Sequence, residues 1–124
     1  MAVRQLPAAL RGQTALISGA SSGIGAATAR KLAALGMRVV LIARRTERLN
    51  ALADEIRQAG GQARVITADL ARAEDRAALA ALAPETAVLV NNAGIGWYGY
   101  YAEMPPELMG EMLQVNLLAV AELT

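Results

Sequence analysis

The chain of 124 residues has no cysteine, no histidine and no phenylalanine, a single lysine, and aromatic residues at only 3% of the total. The first two absences remove a disulfide framework, a thiolate nucleophile, a Ser–His pair and nearly every zinc site. No metal site is expected, and any chemistry must rest on hydroxyls, carboxylates, amides, arginines, Lys31 or a cofactor. An excess of charge of one sign is lacking too. Lys+Arg 12 against Asp+Glu 11 leaves a formal net charge of +1, so no long-range field draws the chain to nucleic acid or to an anionic membrane. No uncharged apolar run reaches the roughly 18 residues of a membrane span. Residues 1–13, with Arg4 and Arg11, do not read as a secretory signal, so a cytoplasmic location is expected.

What is present is apolar. Hydrophobic residues make up 55% and charged residues 19%, with mean hydropathy +0.32, enough for a core and no composition for disorder. The length suits one domain, taken as 1–124. Thr14–Ser18 is a short apolar run ending in a Gly/Ser cluster, as a strand buried on both faces would. Ile24, Thr28, Leu32 and Leu35 then fall on one side of a helical wheel, and Gly36 stands where a helix ends in a left-handed residue.

The alternation repeats. Arg38–Ala43 reads as a second strand, and Thr46 as an N-cap to a helix with Leu49, Leu52, Ala53 and Ile56 at i, i+3, i+4, i+7, closed by Gly60 and Gly61. A third strand over 63–68 ends at Asp69, and an Ala-rich helix over 73–83 stops at Pro84. A fourth strand, 87–90, runs into Asn91-Asn92-Ala93-Gly94, and a last helix starts near Pro105-Pro106. Strands alternating with helices predict an α/β fold, a doubly wound parallel sheet with helices on both faces.

Five segments carry chemistry. Ser18-Gly19-Ala20-Ser21-Ser22-Gly23-Ile24-Gly25 lies between strand and helix, where glycines let the backbone approach a pyrophosphate and the helix N–H groups face its charge; the alternative is a tight structural turn. Arg44, after strand two with Ala43 and no acid beside it, suits a ribose 2′-phosphate and favours NADP(H) over NAD(H); otherwise Arg44 and Arg45 are solvated charges heading a helix. Asp69 either contacts adenine at the carboxyl edge of the sheet or starts a turn. Asn91 and Asn92 can bond to neighbouring strands or to a bound ribose, with Ala93 and Gly94 small enough for a cofactor to pass, unless the segment is only a polar turn. Asn116 falls with Met109, Met112, Leu113 and Val120 on the apolar face of the last helix, where its amide must find partners, as a local structural residue or as the holder of a functional water.

In this order the segments resemble the short-chain dehydrogenase/reductase family, a Rossmann-like fold. The resemblance rests on Gly19, Gly23 and Gly25, Arg44, Asp69-Leu70, Asn91 to Gly94, and Val115-Asn116-Leu117. It implies that Ser18, Gly19, Ser21, Ser22, Gly23, Ile24 and Gly25 line the pyrophosphate, that Arg44, with Arg45 beside it, takes the 2′-phosphate, that Asp69 and Leu70 line the adenine, and that Asn92, Ala93 and Gly94 line the ribose next to the nicotinamide. Asn116 matches the family's catalytic asparagine, which supports a proton-relay water through its backbone. The implied function is NADP(H)-dependent hydride transfer to or from a small-molecule carbonyl or alcohol.

Two departures stand beside it. The family often has Asp where this chain has Ala87, a local structural matter. The family's Ser and Tyr-x-x-x-Lys lie beyond its fifth helix. Here, four positions after Tyr98, Tyr100 and Tyr101, stand Ala102, Met104 and Pro105. The expectation is therefore a cofactor-binding half, completed by another polypeptide, belonging to a longer enzyme, or self-associating as a homo-oligomer through its open edge. A non-catalytic NADP(H)-binding module is the rival reading. Trp97, Tyr98, Tyr100 and Tyr101 cluster after the Asn-Asn-Ala-Gly segment, where they either border an apolar substrate or pack on another subunit or the missing half.

Overall fold

The computed structural model describes residues 5–124, so residues 1–4, including Arg4 from the stretch read against a secretory signal, lie outside the described residues. Four strands, β1 (Thr14–Ser18), β2 (Arg38–Ala43), β3 (Gln62–Thr67) and β4 (Thr86–Val90), form one parallel sheet in the order β3-β2-β1-β4. Between them run α1 (Gly23–Ala34), α2 (Thr46–Gln58) and α3 (Ala73–Ala80). After β4 come α4 (Pro106–Leu113), one π-helical turn over Gln114–Leu118, and α5 (Ala119–Leu123).

The central strands alternate between two cores. Ile17, Val39 and Leu41 face α1 and α2 with Leu49, Leu52, Ala53 and Ile56. Leu16, Val40 and Ile42 face the other side with Leu79, Val115 and Ala119. This double burial explains why β1 and β2 read as unbroken apolar runs. Each fully buried side chain such as Leu41 contributes about 1.5–3 kcal/mol relative to exposure. The sheet is thus doubly wound, with β2 and β4 on opposite sides of β1 and a switch of direction between β1 and β4.

Most element boundaries match the sequence pattern, and the helix ends show why. At α1 the Gly36 N–H donates to Ala33 O (3.0 Å) and the Met37 N–H to Leu32 O (3.1 Å), with Gly36 at φ 98°. This closure needs a left-handed residue, and Gly36 supplies it. The same pair of bonds closes α2, from Gly60 to Arg57 O and from Gly61 to Ile56 O.

Four expectations change. Thr46 is the first residue of α2 and not its cap; its hydroxyl shares a 2.8 Å hydrogen bond with the Thr67 hydroxyl, tying α2 to β3. The third helix ends at Ala80, with a separate 3₁₀ turn over Ala83–Glu85 around Pro84. In α1 the buried face is Gly25, Ala26, Ala29 and Ala33, while Ile24 is 78% exposed. Small residues let the helix lie close against the sheet, which outweighs the burial of one larger side chain. On the last helix the buried residues are Val115 and Ala119, and Leu113, Val120 and Asn116 are exposed.

Ala87 lies at a register shift between β1 and β4. Thr14 pairs with Thr86 but Ala15 pairs with Val88, so Ala87 is the extra residue of a bulge in β4.

Candidate cofactor site

The carboxyl ends of β1, β2, β3 and β4 open onto one cleft of about 270 Å³. Ser18, the last residue of β1, is buried beneath it. Its hydroxyl accepts from the backbone N–H groups of Asn92 and Ala93 (both 3.0 Å) and lies 3.3 Å from Val90 O, to which it donates. The Asn92 amide nitrogen donates to Ser18 O (3.2 Å) and Gly19 O (3.1 Å). These bonds pin β1 to β4 at the point where the strand order switches, the place where an open α/β sheet holds ligands. Asn91 instead donates to the Thr124 hydroxyl (3.1 Å).

That locking explains two of the glycines. A Cβ on Gly25 would come within 2.5 Å of Asn92 Nδ2, and one on Gly19 within 2.8 Å of the same atom. The backbone of the turn is thereby drawn tightly against β4. Ser22 precedes α1 without a side-chain cap bond, since its hydroxyl and that of Ser21 accept from Arg45 Nη2 (3.2 and 3.1 Å). The first-turn N–H groups of α1 are left without a side-chain acceptor, as suits an anion.

Gly19, Ser21, Ser22, Arg44, Arg45, Asp69, Leu70, Asn92, Ala93 and Gly94 all line the cleft. Ser18, Gly23, Ile24 and Gly25 do not: Ser18 and Gly25 are buried, and Gly23 and Ile24 sit outside it at the start of α1. Asp69 starts a turn and also stands on the cleft wall. Its Oδ1 accepts from Ala71 N (3.0 Å). The turn is braced from α3, where Asp75 Oδ2 accepts from Asp69 N (2.7 Å) and Arg76 donates to Leu70 O (3.0 Å). Arg76 is itself buried and paired with Glu122 of α5 (2.7 Å), whose hydrogen bond holds the Glu122 carboxyl below the usual carboxylate range.

Arg44 reaches across the cleft mouth, its Nη1 donating to Glu111 Oε1 of α4 (3.2 Å). Asn116 lies in the π turn. Its amide nitrogen donates to Ile95 O (2.7 Å) and its Oδ1 accepts from Ile95 N (2.9 Å), so both ends of the amide are satisfied by one backbone unit. The partner of that amide is therefore the loop after β4, 21 positions away in the chain.

Ile42, Ala43, Ala68, Ile95 and Val115 complete the cleft wall. In sequence they look like core, and only their place beside the polar strand ends signals otherwise. Arg76, Asp75 and Glu111 carried no sequence signal, because their partners are distant along the chain or are backbone groups.

A second recess of about 470 Å³ is lined by Trp97, Tyr101, Met104, Met109 and Met112, with Asn116 on its wall. The Trp97 ring N–H donates to Tyr100 O (3.3 Å), while Tyr98 is fully exposed.

A parallel, doubly wound sheet with a glycine turn, arginines after β2 and paired asparagines after β4 defines a dinucleotide-binding protein. Residues 13–124 match the short chain dehydrogenase family, and the chain belongs to it. It is 39% identical over 123 residues to a very-long-chain 3-oxoacyl-CoA reductase of Anas platyrhynchos, an alignment covering 91% of this chain and 39% of that protein. Among solved structures, a metagenomic short-chain oxidoreductase in complex with NADP superposes with a TM-score of 0.86 at 47% identity, covering 94% of this chain and 55% of that one. A short-chain dehydrogenase from Sphingobium yanoikuyae in complex with NADPH superposes at 0.84 with 38% identity, covering 90% and 45%. The chain therefore spans about half or less of the length of these relatives.

Proposed function

We propose that these residues form the cofactor-holding part of an NADP(H)-dependent oxidoreductase acting on a carbonyl or alcohol. The observation that carries this reading is the placement of Arg44 and Arg45 on the same cleft as the glycine turn and the Asp69-Leu70 turn, with no carboxylate at the end of β2. A ribose 2′-hydroxyl wants an acid there, and a 2′-phosphate wants a guanidinium. NADP and NADPH are the ligands in the two solved relatives. The donor set fits the group: Gly19, Ser21 and Ser22 with the N-terminus of α1 for the pyrophosphate, Arg44 and Arg45 for the 2′-phosphate, Asp69 and Leu70 for the adenine, and Asn92, Ala93 and Gly94 for the second ribose. When bound, the cofactor would give a hydride to a carbonyl or take one from an alcohol.

The chain's own residues then have distinct tasks. Ser18, Gly25 and Asn92 hold the turn close to β4, Asp75 and Arg76 fix the adenine turn, and Asn116 fixes Ile95 between the cleft and the second recess. That recess supports an apolar substrate, its walls being indole, phenol and thioether. The reductase activity named for the duck relative points to the same substrate class, 3-oxoacyl chains. Exposed Leu113, Leu117 and Val120 support further protein packing on the last helix. We place this chemistry in the cytoplasm; among the described residues no helix is long and apolar enough to cross a membrane.

The test is NADPH consumption by the protein with 3-oxoacyl thioesters and long-chain ketones. Turnover that rises with chain length is expected. Tight NADPH binding without turnover on any carbonyl would overturn the enzymatic reading and leave a binding module.

A further inference from the structure

Three ion pairs join different elements among the described residues, and one of them is unlike the others. Arg30–Glu55 between α1 and α2 is bidentate at 2.7 and 3.0 Å, and Arg76–Glu122 between α3 and α5 has contacts of 2.7 and 3.4 Å. Arg44–Glu111 is a single contact of 3.2 Å, outside the roughly 2.7–2.9 Å of strong charge-assisted bonds. Its arginine is 58% exposed and stands on the cleft wall, and its carboxylate lies one turn before Val115, which lines the same wall. The weakest of the three pairs therefore occupies the guanidinium assigned to the 2′-phosphate.

We propose that Glu111 is a specificity-setting residue that competes with the cofactor's 2′-phosphate for Arg44 and so lowers affinity for NADP(H) without affecting NAD(H). The inference rests on the NADP(H) reading above. The guanidinium satisfies one carboxylate through one nitrogen, while a phosphate dianion offers it two parallel acceptors. Binding exchanges the first for the second. A ligand lacking the 2′-phosphate has no need of Arg44 and leaves the Arg44–Glu111 pair intact. Arg45 is not open to the same competition, since its partners are the neutral hydroxyls of Ser21 and Ser22.

The experiment is calorimetric titration of the protein and its Glu111→Gln variant with NADPH and with NADH at low and high salt, with unfolding midpoints as a check on folding. Glu111→Gln is expected to tighten NADPH roughly two- to fivefold at low salt, the scale of an exposed ion pair, and to do less at high salt. NADH affinity is expected to be unchanged. In an Arg44→Ala background the Glu111→Gln gain should disappear. Weaker NADPH binding in Glu111→Gln would mean that Glu111 orients Arg44, and would overturn the proposal. Equal shifts for NADPH and NADH, or a gain that persists without Arg44, would do the same. Failure of the wild-type protein to bind NADPH at all would instead overturn the cofactor reading beneath it.

Discussion

Asn116 and Ile95 exchange two hydrogen bonds, side-chain amide against backbone amide, at 2.7 and 2.9 Å. The π turn over Gln114–Leu118 carries Asn116, and the Ala119 N–H bonds back to Gln114 O across that wider ring. Val115 and Ala119, on either side of it, stay buried against the sheet. The helix is therefore anchored by two small apolar residues, and one amide at its surface fixes the loop that divides the cleft from the aromatic recess.

Asn116→Ala leaves both polar groups of Ile95 to water, because the pair is exposed. The expected loss of stability is modest, about 0.5–1.5 kcal/mol. The Ile95 amide itself should change most: slow hydrogen exchange in the wild type and fast exchange in the variant. Unchanged protection would show that Asn116 does not hold the loop.

Gly25→Ala puts a methyl group 2.5 Å from Asn92 Nδ2 and against the Gly19 carbonyl. Either the turn or Asn92 must move, so the variant should lose about 1–3 kcal/mol in denaturant unfolding, the usual cost of overpacking. It should also weaken NADPH binding, since the same contact sets the turn. A variant as stable as the wild type would contradict the close approach of β1 and β4 described above.

Much of this architecture is legible in the sequence. Leu49, Leu52, Ala53 and Ile56 announce α2 because long side chains at helical spacing have one face to bury. The polar residues after β1 and β4 mark the cleft because those strands, like β2, run through apolar residues up to that edge. The face of α1 was not legible, for close packing selected Ala26, Ala29 and Ala33, residues whose pattern is faint, and left Ile24 in solvent. Nor was the site's support. Arg76 reaches Leu70 O through the turn and Glu122 forty-six positions away, and nothing local distinguishes it from a surface arginine.

The Arg76–Glu122 pair gives a pH dependence of fixed sign. The hydrogen bond from Arg76 lowers the Glu122 carboxyl below its ordinary range, so the pair stabilises the fold fully above that range and loses the contribution as pH falls through the depressed value. In urea unfolding, the gap between wild type and Glu122→Gln should be widest above about pH 5 and close at more acid pH. A gap that stays constant into acid would show that the carboxylate charge is not what Arg76 uses.

The proposed function turns on Arg44 binding a 2′-phosphate. Its most direct test is the ratio of dissociation constants for NADPH and NADH, measured by calorimetry on the wild type and on Arg44→Ala. A charge-assisted bidentate contact of about 1.5–3 kcal/mol corresponds to a preference for NADPH of roughly ten- to hundredfold. That preference is expected in the wild type and should collapse in Arg44→Ala, with NADH binding little changed. Equal affinities for the two cofactors in the wild type, or a preference undiminished in Arg44→Ala, would contradict it.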